Sequence, residues 1–154
     1  RLLGSRPHQK HRLREDVRVT ARDLLDVRVP DGACTEAGLR NDVSVALQYL
    51  ESWLSGVGCV AIFNLMEDAA TAEICRSQIW QWRVHGVRLT DGLSVDAGRI
   101  RRVIAEELEN IRTSVGQDRF QRGRWAEAAE VLEQLVLGSA FVEFLTWLAY
   151  DRID

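Results

Sequence analysis

Apolar residues recur at three- and four-residue spacings along most of this chain, the period of helices that bury one face. Leu39, Val43, Ala46, Leu47, Leu50 and Leu54 form a first long stripe, opened by Thr35 as an N-cap and closed by Gly56 and Gly58. A second helix is expected from about Ala69 to Val84, stopping at His85-Gly86. A third spans Asp96 to Val115 on Ile100, Val103, Ile104, Leu108, Ile111 and Val115, and Gly116 closes it. Arg124 to Leu137 packs through Trp125, Ala128, Leu132, Leu135 and Val136, and Phe141 to Tyr150 is a last, strongly apolar helix. Ahead of these, Thr20-Ala21-Arg22-Asp23 predicts a capped short helix to about Leu25, and Val29-Pro30-Asp31-Gly32 a turn. Residues 1–19 keep no period and read as a loop-rich leading segment, which leaves 20–154 as a helical domain. The pattern predicts a mainly α protein, an antiparallel bundle of four to five helices.

Composition adds little to that picture, but charge does. A hydrophobic content of 46% over 154 residues suits one globular domain. No apolar run approaches the ~20 residues of a membrane span, and the first residues lack a signal peptide's apolar core. The last residues, Tyr150-Asp151-Arg152-Ile153-Asp154, carry no Ser-Lys-Leu peroxisomal address. Cys34, Cys59 and Cys75 are odd in number and irregularly spaced, which fits reduced thiols in a cytoplasmic protein. Residues 1–28 hold eight Lys/Arg against four Asp/Glu, so the remainder of a chain of net charge −3 carries −7. Such asymmetry suggests an anionic ligand near the leading segment, or a solvated tail of mixed charge.

The candidate chemistry sits where the helical pattern pauses. A short apolar run, Val60 to Phe63, delivers the carboxylate pair Glu67-Asp68 to the first turn of the second helix. On position alone Asp68 is an N-cap, accepting from orphan N–H groups at the positive end of the helix dipole. That role holds a carboxylate rigidly at the edge of a packed element. Gly56-Val57-Gly58-Cys59-Val60-Ala61 matches a loose nucleotide-binding pattern, but it follows a helix instead of opening one. On its own Cys59 reads as a small buried hydrophobe, and no histidine stands near it to make it a nucleophile. Trp53, Trp80, Trp82, Trp125 and Trp147 suit core anchors, and no His/Cys/carboxylate cluster has metal-ligand spacing. Residues 71–82 superficially resemble a DNA-recognition helix, yet no tight turn divides the segment and its charges balance, so nucleic acid is not an expected partner.

One stretch carries a specific resemblance. Asn64-Leu65-Met66-Glu67-Asp68-Ala69-Ala70-Thr71-Ala72-Glu73-Ile74 is similar to the signature near the C-terminus of malate synthases of the A type. The likeness continues in order through His11-Arg12-Leu13-Arg14-Glu15-Asp16-Val17, Thr35-Glu36-Ala37-Gly38-Leu39, Gln48-Tyr49-Leu50-Glu51-Ser52-Trp53, Trp80-Gln81-Trp82, Gly123-Arg124-Trp125 and Glu143-Phe144-Leu145-Thr146. The resemblance implies the helical plug domain that caps the malate synthase TIM barrel. It also implies a Claisen-type condensation of acetyl-CoA with glyoxylate and water to malate and CoA, in the glyoxylate cycle. Asp68 would be the general base that enolises the acetyl group, with Cys59, Met66 and Glu67 lining the substrate pocket and Arg6 and Pro7 near CoA. The barrel, which such enzymes carry ahead of this region, would supply the arginine that polarises glyoxylate and the acidic ligands for Mg²⁺. This chain would hold no metal ligand, and alone it would be an inactive helical bundle. The family usually has Pro at Ala61, Ser at Cys75 and Pro at Leu148, and it tends to Pro-Asn-Gln near Arg6-Pro7-His8-Gln9, which weakens the CoA assignment there.

Overall fold

A computed structural model of the chain describes residues 8–153, and they form a mainly helical structure with one two-stranded sheet. Arg6 and Pro7 lie outside the described residues. The chain divides into two compact units, the first ending at Gly32 and the second beginning at Ala33. In the first, α1 (Ala21–Leu25) starts at the expected capping box: Asp23 donates its amide to the Thr20 hydroxyl, and the Thr20 amide donates back to the Asp23 carboxylate at 2.8 Å. Gly32 donates to the Val29 carbonyl at 3.0 Å, closing the expected turn. No side chain between residues 8 and 32 is buried.

The second unit contains α2 (Glu36–Leu54), β1 (Val60–Ile62), β2 (Leu65–Glu67), α3 (Ala69–Val84), α4 (Ala97–Val115), α5 (Gln117–Arg122), α6 (Trp125–Leu137) and α7 (Leu145–Tyr150). Thr35, Asp68 and Asp96 cap α2, α3 and α4 with their side chains, so local donors and acceptors set those starts. α2 packs against α3, α4 and α6. It is therefore buried almost all round, taking Asp42, Ser44, Val45, Glu51 and Ser52 inside together with its apolar stripe. The expected face of α6 is wholly buried; on α4 Ile100, Val103, Ile104 and Ile111 are buried, Leu108 is half-buried and Val115 is exposed.

Four expectations are corrected. The run after Gly58 forms a β-hairpin, placing Glu67 in β2 and Asp68 at the cap of α3, instead of both in the helix's first turn. Residues 117–122, which fall between the expected third and fourth long helices, form α5, because Phe120 stacks on Trp125 at 5.5 Å and Arg119 pairs with buried Glu51. The last helix begins at Leu145, not Phe141: the Leu145 amide donates to Glu73 Oε1 of α3 at 2.6 Å, so a distant carboxylate fixes the start. Trp125 is buried and Trp53, Trp80 and Trp82 are half-buried, but Trp147 is exposed and anchors no core.

Candidate functional site

The hairpin between α2 and α3 builds the site. Its register, Val60 with Glu67, Ala61 with Met66 and Ile62 with Leu65, leaves Phe63 and Asn64 as a two-residue loop. Both loop residues are left-handed, with φ of 50° and 65°, as a primed hairpin turn requires. Asparagine tolerates that conformation; phenylalanine is strained there. Ile62 points into the core, while Phe63, Leu65 and Met66 stay largely exposed.

β2 hands the chain directly to Asp68. Its backbone is extended, and Oδ1 accepts from the amides of Ala70 at 2.9 Å and Thr71 at 3.3 Å. Among the described residues Oδ2 accepts no hydrogen bond, and the residue is exposed. One carboxylate oxygen is therefore anchored and the other is free to take a proton from outside the domain. The expected N-cap role is met by Oδ1.

Tyr49, on α2, lies beneath this edge. Its hydroxyl donates to the Gly58 carbonyl at 3.3 Å, and Ser52 donates to the carbonyls of Val57 and Cys59. Burial raises the Tyr49 phenol above its ordinary range, with further contributions from Asp68, Cys59 and Glu73, so these groups share one electrostatic neighbourhood. Spacing along the chain gave no sign of Tyr49. Cys59 is exposed, which removes its reading as a small buried hydrophobe. Glu67 is half-buried and Met66 is 71% exposed. The groove of about 440 Å³ beside the hairpin is lined by Ser44, Gln48, Phe63 and Asn110 among others, and not by Asp68. Asp68 is thus exposed and lies outside this groove.

No group of three His, Cys, Asp or Glu side chains among the described residues could hold a metal ion. Glu67 and Asp68 stand on a strand and a cap with no third donor. A hard divalent cation such as Mg²⁺, which prefers six oxygens, does not fit these residues.

The family described as malate synthase, C-terminal, matches residues 33–153. Malate synthase of Streptomyces clavuligerus is 50% identical over 152 residues, covering 99% of this chain and 28% of that protein. Malate synthase A of Escherichia coli K12 is 44% identical over 151 residues, covering 97% of this chain and 28% of that protein. A protein of Brassica napus named as glyoxysomal malate synthase is 44% identical over 156 residues, covering 98% of this chain and again 28% of the relative. The chain spans little more than a quarter of the length of these relatives.

Proposed function

The chain belongs to the malate synthase family as its C-terminal domain, and from that premise we propose that it is the base-carrying part of an enzyme that condenses acetyl-CoA with glyoxylate and water to malate and CoA. In this reading the free Oδ2 of Asp68 removes a proton from the acetyl methyl group. The C–H electron pair passes into the thioester enolate, whose carbon attacks the aldehyde carbon of glyoxylate while the C=O π pair moves onto the aldehyde oxygen, which takes up a proton to become the malyl hydroxyl. Hydrolysis of the resulting malyl thioester releases malate and CoA. The observation that carries the reading is the split of Asp68 into an anchored and an unpartnered oxygen at an exposed helix start. A base must be both fixed and free.

In the same reading Cys59, Met66 and Glu67 are the domain's share of the substrate pocket, and Arg6 and Pro7 are assigned to the CoA side. The barrel region of the complete enzyme would supply the rest, Mg²⁺ ligands included, because the described residues do not fit that ion. By itself the chain would be an inactive bundle. A cytoplasmic location belongs to the same reading, supported by three free thiols. No described helix is long and apolar enough to cross a membrane.

The test is Asp68→Asn in a complete malate synthase that contains this chain. The amide oxygen still accepts at the helix start, so stability changes by no more than about 1 kcal/mol. Turnover falls roughly 10²–10⁴-fold while KM for either substrate moves far less. Glu67→Gln costs less than Asp68→Asn. Activity near the parent level in Asp68→Asn, or a greater loss in Glu67→Gln, overturns the assignment.

A further inference from the structure

The exposed start of α3 is held by more than its own cap. Ala70 is exposed and Ala69 packs only partly against the core, so the first fully buried anchor after Asp68 is Ala72, followed by Glu73 and Arg76. Arg76 is wholly buried, which is unusual for a cation. Its Nε donates to Glu73 Oε2 at 2.6 Å, its Nη2 to the Glu143 carbonyl at 2.9 Å, and its guanidinium lies 4.1 Å from the Phe141 ring centre. The other Glu73 oxygen accepts the Leu145 amide. Two α3 side chains thus bind the backbone on both sides of Phe144 and cap α7. Glu73 lies five residues beyond Asp68, about 7.5 Å along the helix axis.

We propose that Glu73 and Arg76 are positioning residues, which clip the segment from Phe141 to Leu145 onto α3 and so fix where Asp68 presents its free oxygen. This rests on the reading of Asp68 as the base. A base displaced by about 1 Å can cost up to 10²-fold in rate without weakening substrate binding. The clip therefore acts on proton abstraction, not on affinity.

The experiment compares CH₃- and CD₃-acetyl-CoA turnover by the complete enzyme carrying Glu73→Gln. Glutamine keeps an acceptor for the Leu145 amide but loses the charge that holds Arg76. Expected are a roughly 10–10²-fold lower kcat, KM values within about two-fold of the parent, and a larger deuterium isotope effect on kcat, because proton removal becomes more rate-limiting. Phe141→Leu, which loosens Arg76 without unpairing a buried charge, shifts the same readings less and keeps the test open if Glu73→Gln folds poorly. Leu132→Ala, in the core of α6, lowers activity only with the folded fraction and leaves the isotope effect unchanged. If Glu73→Gln and Phe141→Leu behave like Leu132→Ala, or like the parent, the positioning role is wrong. If Asp68→Asn keeps its turnover, the base assignment fails instead.

Discussion

Asp42 bears the clearest cost among the buried side chains. Only 7% exposed, it accepts from Gln78 at 2.9 Å and from the Cys75 thiol. Burial pushes its pKa from 3.8 to about 6, and the two donors pull back only part of that. Below both values the carboxyl is protonated in folded and unfolded chains alike and costs nothing. Between about pH 4 and 6 the unfolded chain gives up the proton while the folded chain keeps it, so stability declines as pH rises. Above that window the full cost remains, on the order of 2 kcal/mol. Asp42→Asn keeps the acceptor for Gln78 and removes the charge. Urea unfolding at pH 8 should show it more stable by about 1–2 kcal/mol, with no decline between pH 4 and 6; a destabilised variant at pH 8 would refute this. The thiols divide equally plainly. Burial, then the Asp42 charge, pushes Cys75 to about 12, whereas Cys59 is exposed. Iodoacetamide on the folded chain should label Cys59 and spare Cys75 until denaturant is added, as mass spectrometry of peptides would report.

At the scale of elements, one carboxylate joins three helices. Glu51 of α2 is 2% exposed and accepts both Arg119 Nη1 at 3.0 Å and Nη2 at 2.6 Å from α5, with the Arg124 amide at the start of α6. Glu51→Gln leaves Arg119 without its charge partner and weakens the α6 start. Because the Arg119 side chain is 48% exposed, the loss is moderated to about 1–3 kcal/mol. Chemical denaturation should show a lower midpoint with an unchanged slope. The α5–α6 junction is also sterically closed: a Cβ on Gly123 would stand 2.3 Å from Trp125 Nε1 and 2.7 Å from Arg119 Nη1. Gly123→Ala must therefore move the stacked Trp125 ring, costing about 1–3 kcal/mol and disturbing tryptophan fluorescence. An unperturbed spectrum would mean that the junction is looser than its geometry.

On the scale of the whole molecule, α2 organises the second unit, with its neighbours closing round it. Most ion pairs are exposed or half-exposed and add little to stability, so the apolar core against α2 carries the fold. Residues 8–32 bury no side chain, so trimming removes no core among the described residues. A chain beginning at Ala33 should remain mainly helical by circular dichroism, with a melting midpoint within about 4 °C of the full chain. A large drop, or loss of cooperativity, would show that the leading segment supports the helices.

The sequence by itself determined what depends on neighbours a few residues apart. Thr20, Thr35, Asp68 and Asp96 cap their helices because the acceptor and the orphan amides lie within one turn. The stripes of α2, α4 and α6 follow from the same periodicity, and the run from Asn64 to Ile74 pointed to the family. The tertiary structure decided what depends on groups brought together from afar. The start of α7 answers to Glu73, 72 residues earlier, and α5 is held by Glu51, 68 residues before Arg119. The burial of Asp42 and Glu51 follows from packing on every side of α2, which no single stripe encodes. Asp68 could be read as cap or base from its position. Which of its oxygens is anchored and which is free is a matter of side-chain geometry, and a helical period contains no information about that.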